Sequence, residues 1–338
     1  MVLKRVEIWD GWRGIAISFL LIGHFFDIEW IWEDRLGVDI FFVLSGMLMS
    51  KILFEKRLNL KDFYIRRFSR ILPVLFLFVF VVYIFETIVG HEYLTREIFA
   101  NLTFIRTYYP SVPHIWDVNT PTGHLWSLNV EEHAYVLMSV MTVIFLRNKL
   151  AATCLVMLGF LSIAICFYKY LNLENSGLEN SVEVFRIRTE CAISFIFLSA
   201  GYNLIKNSLA LRVHAIIPFL TFGAVILCYI VKPVPGWLSF SLAPILLAFT
   251  VNHLEDTSGL FRNLLSLKYL RLLGVWSYSI YLWQQLFYQY SYKLPGGELS
   301  GFILSIIVGA ISFHLYENPV RSWINKRFTN KSYTLQQR

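Results

Sequence analysis

Long apolar runs recur along the whole chain, each long enough, or nearly so, to cross the hydrocarbon core of a bilayer as a helix. They lie at residues 12–30, 36–54, 71–89, 127–146, 150–168, 189–205, 213–231, 236–252, 272–292 and 299–316. A backbone in lipid must satisfy its own hydrogen bonds, so the pattern predicts an all-α, polytopic integral membrane protein of about ten transmembrane helices. No hydrophilic stretch is long enough to fold alone, which predicts one membrane domain over 1–320 and a basic tail over 321–338. The first run follows a short basic stretch and has no small-residue cleavage site, so it is expected to be an uncleaved span.

Composition agrees with that class. Apolar residues make up 56% and charged residues 16% of the 338. Alternating the spans from a cytoplasmic N-terminus puts 21 of the 30 Lys and Arg residues inside and eight outside, with Arg13 within the first span. That asymmetry is the positive-inside pattern and predicts both termini in the cytoplasm of a bacterial inner (plasma) membrane. The net charge of +7 then reads as a basic rim facing anionic membrane lipid, with no nucleic-acid partner required. Cys154, Cys166, Cys191 and Cys228 fall within spans and show neither disulfide-framework nor metal-ligand spacing.

Arg13 and His24 stand out because they sit inside the first apolar run. On a helix they are about 16 Å apart along the axis and about 20° apart around it, so they share one face at two depths. Intramembrane ionisable groups commonly mark a substrate path or proton chemistry. The rival reading is a snorkelling arginine and a histidine bonded to a neighbouring helix.

The remaining polar groups sort into two expected layers. The inner one holds Arg13, Arg66, Arg67 and Arg70. Arg67 and Arg70 share a helix face, and their guanidinium forks suit phosphate, although any inner helix end attracts basic residues. The outer layer holds His24, Asp27, Asp39, His124, Glu131, Glu132 and His133. Asp27 is three residues from His24 and could fix its tautomer; of the adjacent Glu131 and Glu132, one at most is expected to face His24. Gly14, Gly23, Gly37, Ser45 and Gly46 predict close packing of the first two helices. The outer loop near 91–123 is long and aromatic, which suits a lid, a glycan-contacting surface or a plain connector. Residues 259–273 predict a short amphipathic helix at the inner interface. No internal repeat is visible, which counts against a transporter.

Six motifs occur in order: WDGWRGIAISFLLIGH from Trp9, GVDIFFVLSGML from Gly37, FYIRRFSRILP from Phe63, HLWSLNVEEHAY from His124, WSYSIYLW from Trp276 and YENPVR from Tyr316. Together they resemble the acyltransferase-3 family of integral membrane acyltransferases, which O-acylate bacterial surface glycans. The resemblance covers Asp10 to Arg321.

It implies transfer of an acyl group, often acetyl, from acyl-CoA to a sugar hydroxyl of a surface polysaccharide or its lipid-linked precursor, alongside polysaccharide-synthesis machinery. The family's basic residue and histidine map onto Arg13 and His24, its arginine motif onto Arg67 and Arg70, and its Trp-Ser-Leu-x-x-Glu motif onto Trp126, Ser127, Leu128 and Glu131. His24, with Asp27 or Glu131, is the expected catalytic group, and Arg13, Arg67 and Arg70 are expected to bind the donor. Asp39, His124, Trp126, Glu132, Tyr281 and Gln284 are expected to surround them. No permanently bound cofactor or metal is expected.

Two positions depart from the family. Gln284 stands where it usually has histidine, and His133 and Ala134 replace its Gln-Phe. Gln284 cannot act as a base. The esterase-like domain of longer members is also not found, so the membrane domain or a separate partner is expected to complete the transfer. A proton-coupled transporter of a glycan or lipid precursor, and an inactive scaffold, are the rival readings.

Overall fold

The computed structural model describes residues 7–26, 33–145, 147–176, 182–229, 235–257 and 259–329. Among them there is no strand. The helices are α1 (Glu7–Phe25), α2 (Glu33–Ser50, prolonged by a π-turn over Lys51–Glu55), α3 (Leu60–Val89), α4 (Thr95–Leu102), α5 (Trp126–Ile144), α6 (Asn148–Ser176), α7 (Val182–Arg186), α8 (Thr189–Leu209), α9 (Ile217–Tyr229), α10 (Leu238–Ser241), α11 (Ala243–Asn252), α12 (Gly259–Leu265), α13 (Lys268–Gln289), α14 (Gly297–Ser312) and α15 (Asn318–Phe328). Four helical stretches are long and apolar enough to cross a membrane: Arg35–Glu55, Leu60–Val89, Asn148–Leu173 and Gly297–Phe328.

Each apolar run read from the sequence carries helix over most of its described residues, although α9 begins only at Ile217 and the ends of the first and seventh runs lie outside the described residues. The run 236–252 is interrupted at Leu242, between α10 and α11, because Pro244 in the first turn of α11 cannot donate a bond back into a preceding helix. The stretch expected as one amphipathic helix over 259–273 is likewise broken, into α12 and the start of α13. The first part of the expected tail is ordered: α15 docks on α3, where Ser69 Oγ donates to Asn325 Oδ1 over 3.2 Å.

Burial separates an inner set of helices from an outer one. The Arg35–Glu55 stretch has 72% of its apolar window buried, against 28% for Gly297–Phe328. Outward-facing residues recur at intervals of four, such as Phe76, Phe80, Ile84 and Ile88 on α3 and Ile303, Ile307 and Ile311 on α14. That spacing forms an apolar stripe on each helix, the surface a lipid environment would cover.

The close approaches differ from those expected. A Cβ on Gly274 would lie 1.8 Å from the Asp10 carbonyl oxygen, and one on Gly14 would lie 2.0 Å from the Leu270 oxygen. Glycine therefore lets the α1 and α13 backbones touch. Gly46 faces Ile196 on α8, and among the small residues expected to join α1 to α2, Gly37 is the one against α1, near Ala16. The α1–α13 contact fixes the pairing on which the site depends.

Candidate active site

At the far end of the α1–α13 contact, His24 meets Gln284, with Nδ1 and Oε1 2.7 Å apart. The Gln284 Nε2 donates to Gln285 Oε1 at 3.3 Å, which leaves the amide oxygen facing the imidazole. An amide oxygen only accepts, so His24 Nδ1 carries the proton and Nε2 carries the lone pair. Tyr288, one turn beyond Gln284, stacks on the His24 ring at 4.8 Å. Gln284, which cannot take a proton itself, thereby sets the tautomer of a residue that can.

His124 lies within electrostatic reach of His24. It is buried, edge-on to Phe78 and Tyr281, and neither ring nitrogen has a hydrogen-bond partner among the described residues. Tyr281 donates its hydroxyl to the His124 carbonyl oxygen and lies 2.6 Å from Ser127 Oγ. Asp27, expected to orient His24, lies outside the described residues.

Towards the other end of the bundle, α1, α2, α3, α5 and α13 border a cavity of about 90 Å³ whose polar wall includes Arg13, Ser45, Arg70, Glu131, Tyr278 and Tyr281. Arg67 also borders it, but its fork is occupied. Its Nε donates to Glu132 Oε1 at 2.8 Å and a terminal nitrogen donates to Glu131 Oε2 at 2.6 Å. The guanidinium carbon sits 4.2 Å from the centre of the Tyr135 ring, and Ser45 Oγ donates to the second oxygen of Glu131 at 2.7 Å. Glu131 and Tyr135 are four residues apart on α5, which puts both on the face presented to Arg67. Arg13 binds Asp10 Oδ1 at 3.0 Å. Arg70 makes no hydrogen bond among the described residues and faces the cavity.

The two-layer arrangement expected from sequence is therefore redrawn. Arg13, Arg67 and Arg70 do share one cavity. Glu131 and Glu132, of which one at most is expected to face His24, instead both pair with Arg67, since a buried guanidinium needs charge partners at hydrogen-bond distance. Tyr281 lines the cavity and touches His124, bridging towards His24. Asp39 and Trp126 meet elsewhere: Arg35 donates to Asp39 at 3.1 Å while its guanidinium covers the Trp126 ring, and Tyr229 donates to Asp39 at 2.7 Å. His133 pairs with Thr189 at 2.7 Å. Ser45, read from sequence as a packing residue, instead holds Glu131. Tyr135, Tyr278 and Tyr288 had no assigned role, although Tyr135 and Tyr288 stand one helical turn from Glu131 and Gln284.

The arrangement offers an imidazole whose Nδ1 faces an amide oxygen, buried hydroxyls of Ser127 and Tyr281 beside His124, and a cavity bordered by Arg70. A family model for the acyltransferase domain, acyltransferase-3, matches residues 6–315. The chain is 26% identical to the peptidoglycan O-acetyltransferase OatA of Listeria monocytogenes, covering 98% of this chain and 58% of that protein. It is 27% identical to the putative peptidoglycan O-acetyltransferase YrhL of Bacillus subtilis, over 96% of this chain and 56% of the relative. The O-acetyltransferase OatA of Staphylococcus aureus is 26% identical over 92% of this chain and 56% of its own length. The chain thus spans somewhat over half the length of these curated relatives. No solved structure matches it. With the family match extending over nearly the whole chain, and the helices around His24 and the arginine cavity inside it, the chain belongs to the acyltransferase-3 family of acyltransferases.

Proposed function

We propose that this protein is a membrane O-acetyltransferase that moves the acyl group of cytoplasmic acyl-CoA to a sugar hydroxyl of a surface polysaccharide, or of its lipid-linked precursor. The observation that carries the reading is the His24–Gln284 pair together with a cavity containing Arg13 and Arg70, whose wall includes Tyr281, bonded in turn to the His124 carbonyl. His24 Nε2 takes the proton of the acceptor hydroxyl as its oxygen attacks the thioester carbonyl. A C–O bond forms, the C–S bond breaks, and the leaving CoA thiolate takes the proton back from the imidazolium.

Arg70 and Arg13 hold the donor's phosphate oxygens; Arg67 acts from behind them, keeping Glu131 and the cavity wall in place. The relatives' names favour a cell-wall glycan as acceptor. The reading includes about ten spans with both termini cytoplasmic, in a bacterial inner membrane, which the apolar runs of the sequence and the basic-residue asymmetry support.

A transporter using the same buried charges would leave the thioester intact. Purified protein in nanodiscs, given acetyl-CoA and an N-acetylglucosamine oligomer, is expected to release free CoA and form an alkali-labile sugar ester. Intact acetyl-CoA in the presence of every acceptor tested would overturn the enzymatic reading.

A further inference from the structure

A second concavity, of about 640 Å³, opens where α3 ends and the 91–123 loop begins; its wall includes Thr87, His91, Glu92, Tyr93, Glu97 and Asp117. The mechanism above uses none of these residues. The cleft lies at the end of the bundle that carries His24. Glu86 accepts from Tyr290 at 2.7 Å and pairs with His91 at 2.7 Å, which ties the cleft wall to the end of α13. Tyr290 follows Gln284 by six residues, about 9 Å along the helix axis. Gln289 closes the same corner by donating to the Asn119 carbonyl oxygen.

Glu97 makes this cleft more than a surface depression. It is 1% exposed, it lines the cleft, and its Oε2 has no hydrogen-bond partner among the described residues. Its nearest cation, Arg106, stays 4.0 Å from the other oxygen because Arg106 is committed to the carbonyls of Pro110 and Pro113. Burial pushes the Glu97 carboxyl above the usual carboxylate range, with Arg106 and Arg96 opposing. A buried carboxylate oxygen without a donor is costly, so the site is built for a donor that arrives from outside.

The lining defines that donor's chemistry. Glu92, Glu97 and Asp117 are acidic, and no Lys or Arg belongs to the wall. Tyr93, anchored through its hydroxyl to Thr87 at 2.6 Å, offers a ring for an apolar sugar face. No group of three His, Cys, Asp or Glu side chains among the described residues is placed to hold a metal ion.

We propose that this cleft is a saccharide subsite that takes a strand of neutral or amino-bearing sugar residues and disfavours polyanionic ones. Glu97 accepts a hydroxyl or amide hydrogen of the sugar, and Asp117 and Glu92 set the charge preference. Calling the strand the acceptor rests on the acyltransferase reading; the binding itself does not.

The test is donor-free binding of two tetramers to the full chain in nanodiscs by isothermal titration: tetra-N-acetylchitotetraose, which is neutral, and tetragalacturonate, which is anionic. Wild type is expected to bind the neutral tetramer at least tenfold more tightly, and Glu97→Gln to weaken that binding about tenfold. Glu97 is buried and its replacement could disturb the loop. The exposed pair Glu92→Lys with Asp117→Lys therefore serves as the second arm, expected to move the affinity ratio tenfold or more towards tetragalacturonate. Equal binding of both tetramers by wild type, no binding of either, or an unmoved ratio in the double variant would overturn the subsite. Binding without thioester turnover would instead sink the enzymatic reading and leave the subsite standing.

Discussion

Arg67 offers a sharp separation between binding and support. Its guanidinium makes two charge-assisted bonds, at 2.6 and 2.8 Å, with side chains that are 9% exposed on Arg67, 13% on Glu131 and 7% on Glu132. Removing one partner of a buried pair costs roughly 3–5 kcal/mol, because the opposite charge stays buried and unpaired. Here two carboxylates, on adjacent residues, would be left facing each other. Arg67→Ala should therefore lower the stability of the fold by about 3–5 kcal/mol. Arg67→Lys keeps the charge but cannot span both carboxylates, so it should fall between. Adding Glu131→Gln and Glu132→Gln to Arg67→Ala should recover most of the loss, since no buried charge then remains. Equilibrium unfolding in mixed micelles, read from tryptophan fluorescence, supplies the comparison. A midpoint for Arg67→Ala equal to wild type, or a triple variant no more stable than the single one, would refute the assignment of Arg67 to the carboxylates.

Arg70→Ala should behave oppositely, raising KM for acyl-CoA about tenfold or more with little change in kcat or stability, as befits one charge-assisted phosphate contact; an unchanged KM would reduce this arginine to a topology signal. Gln284→Ala should cut kcat by roughly 10–100-fold with donor KM nearly constant, because the base loses its tautomer-setting partner while donor contacts persist. Gln284→Glu retains an acceptor oxygen at the same place and should restore most of the rate; equal loss in both variants would count against a positioning role. In the loop over 103–122, burial holds the His114 imidazole below its usual range, Asp117 opposing. The folded loop thus favours the neutral ring, so its contribution is present above about pH 6.5 and is lost as pH falls below that value through the lower pKa of the folded state. Hydrogen exchange over residues 111–118 should accelerate from pH 7.5 to pH 5 in wild type and lose that extra dependence in His114→Asn.

The membrane class and the positions of the helical runs were legible because hydrophobic patterning is local: each run carries its own evidence. Arg13, Arg67 and Arg70 were legible as a group for a related reason, since the cost of burying charge marks such residues wherever they fall. Partner choice was not. That Gln284 meets His24, 260 positions away, depends on Gly14 and Gly274 letting α1 and α13 touch, and no local pattern specifies which helix a glycine faces. The same holds for Glu131 and Glu132, whose adjacency suggested divergent directions until Arg67, with three nitrogens in one plane, supplied a partner that reaches both. Tyr135 was within reach of sequence reasoning, because a helix places residues four apart on one face. The break at Leu242 was signalled by Pro244 and masked by the apolar run around it.

His24 is where the account stands or falls. Wild-type and His24→Ala protein, reconstituted at equal levels in nanodiscs with acetyl-CoA and the N-acetylglucosamine oligomer, should differ in sugar-ester formation by at least a hundredfold, the range a positioned general base supplies. Unfolding midpoints of the two should match within experimental spread. Ester formation by His24→Ala at the wild-type rate would contradict the mechanism directly.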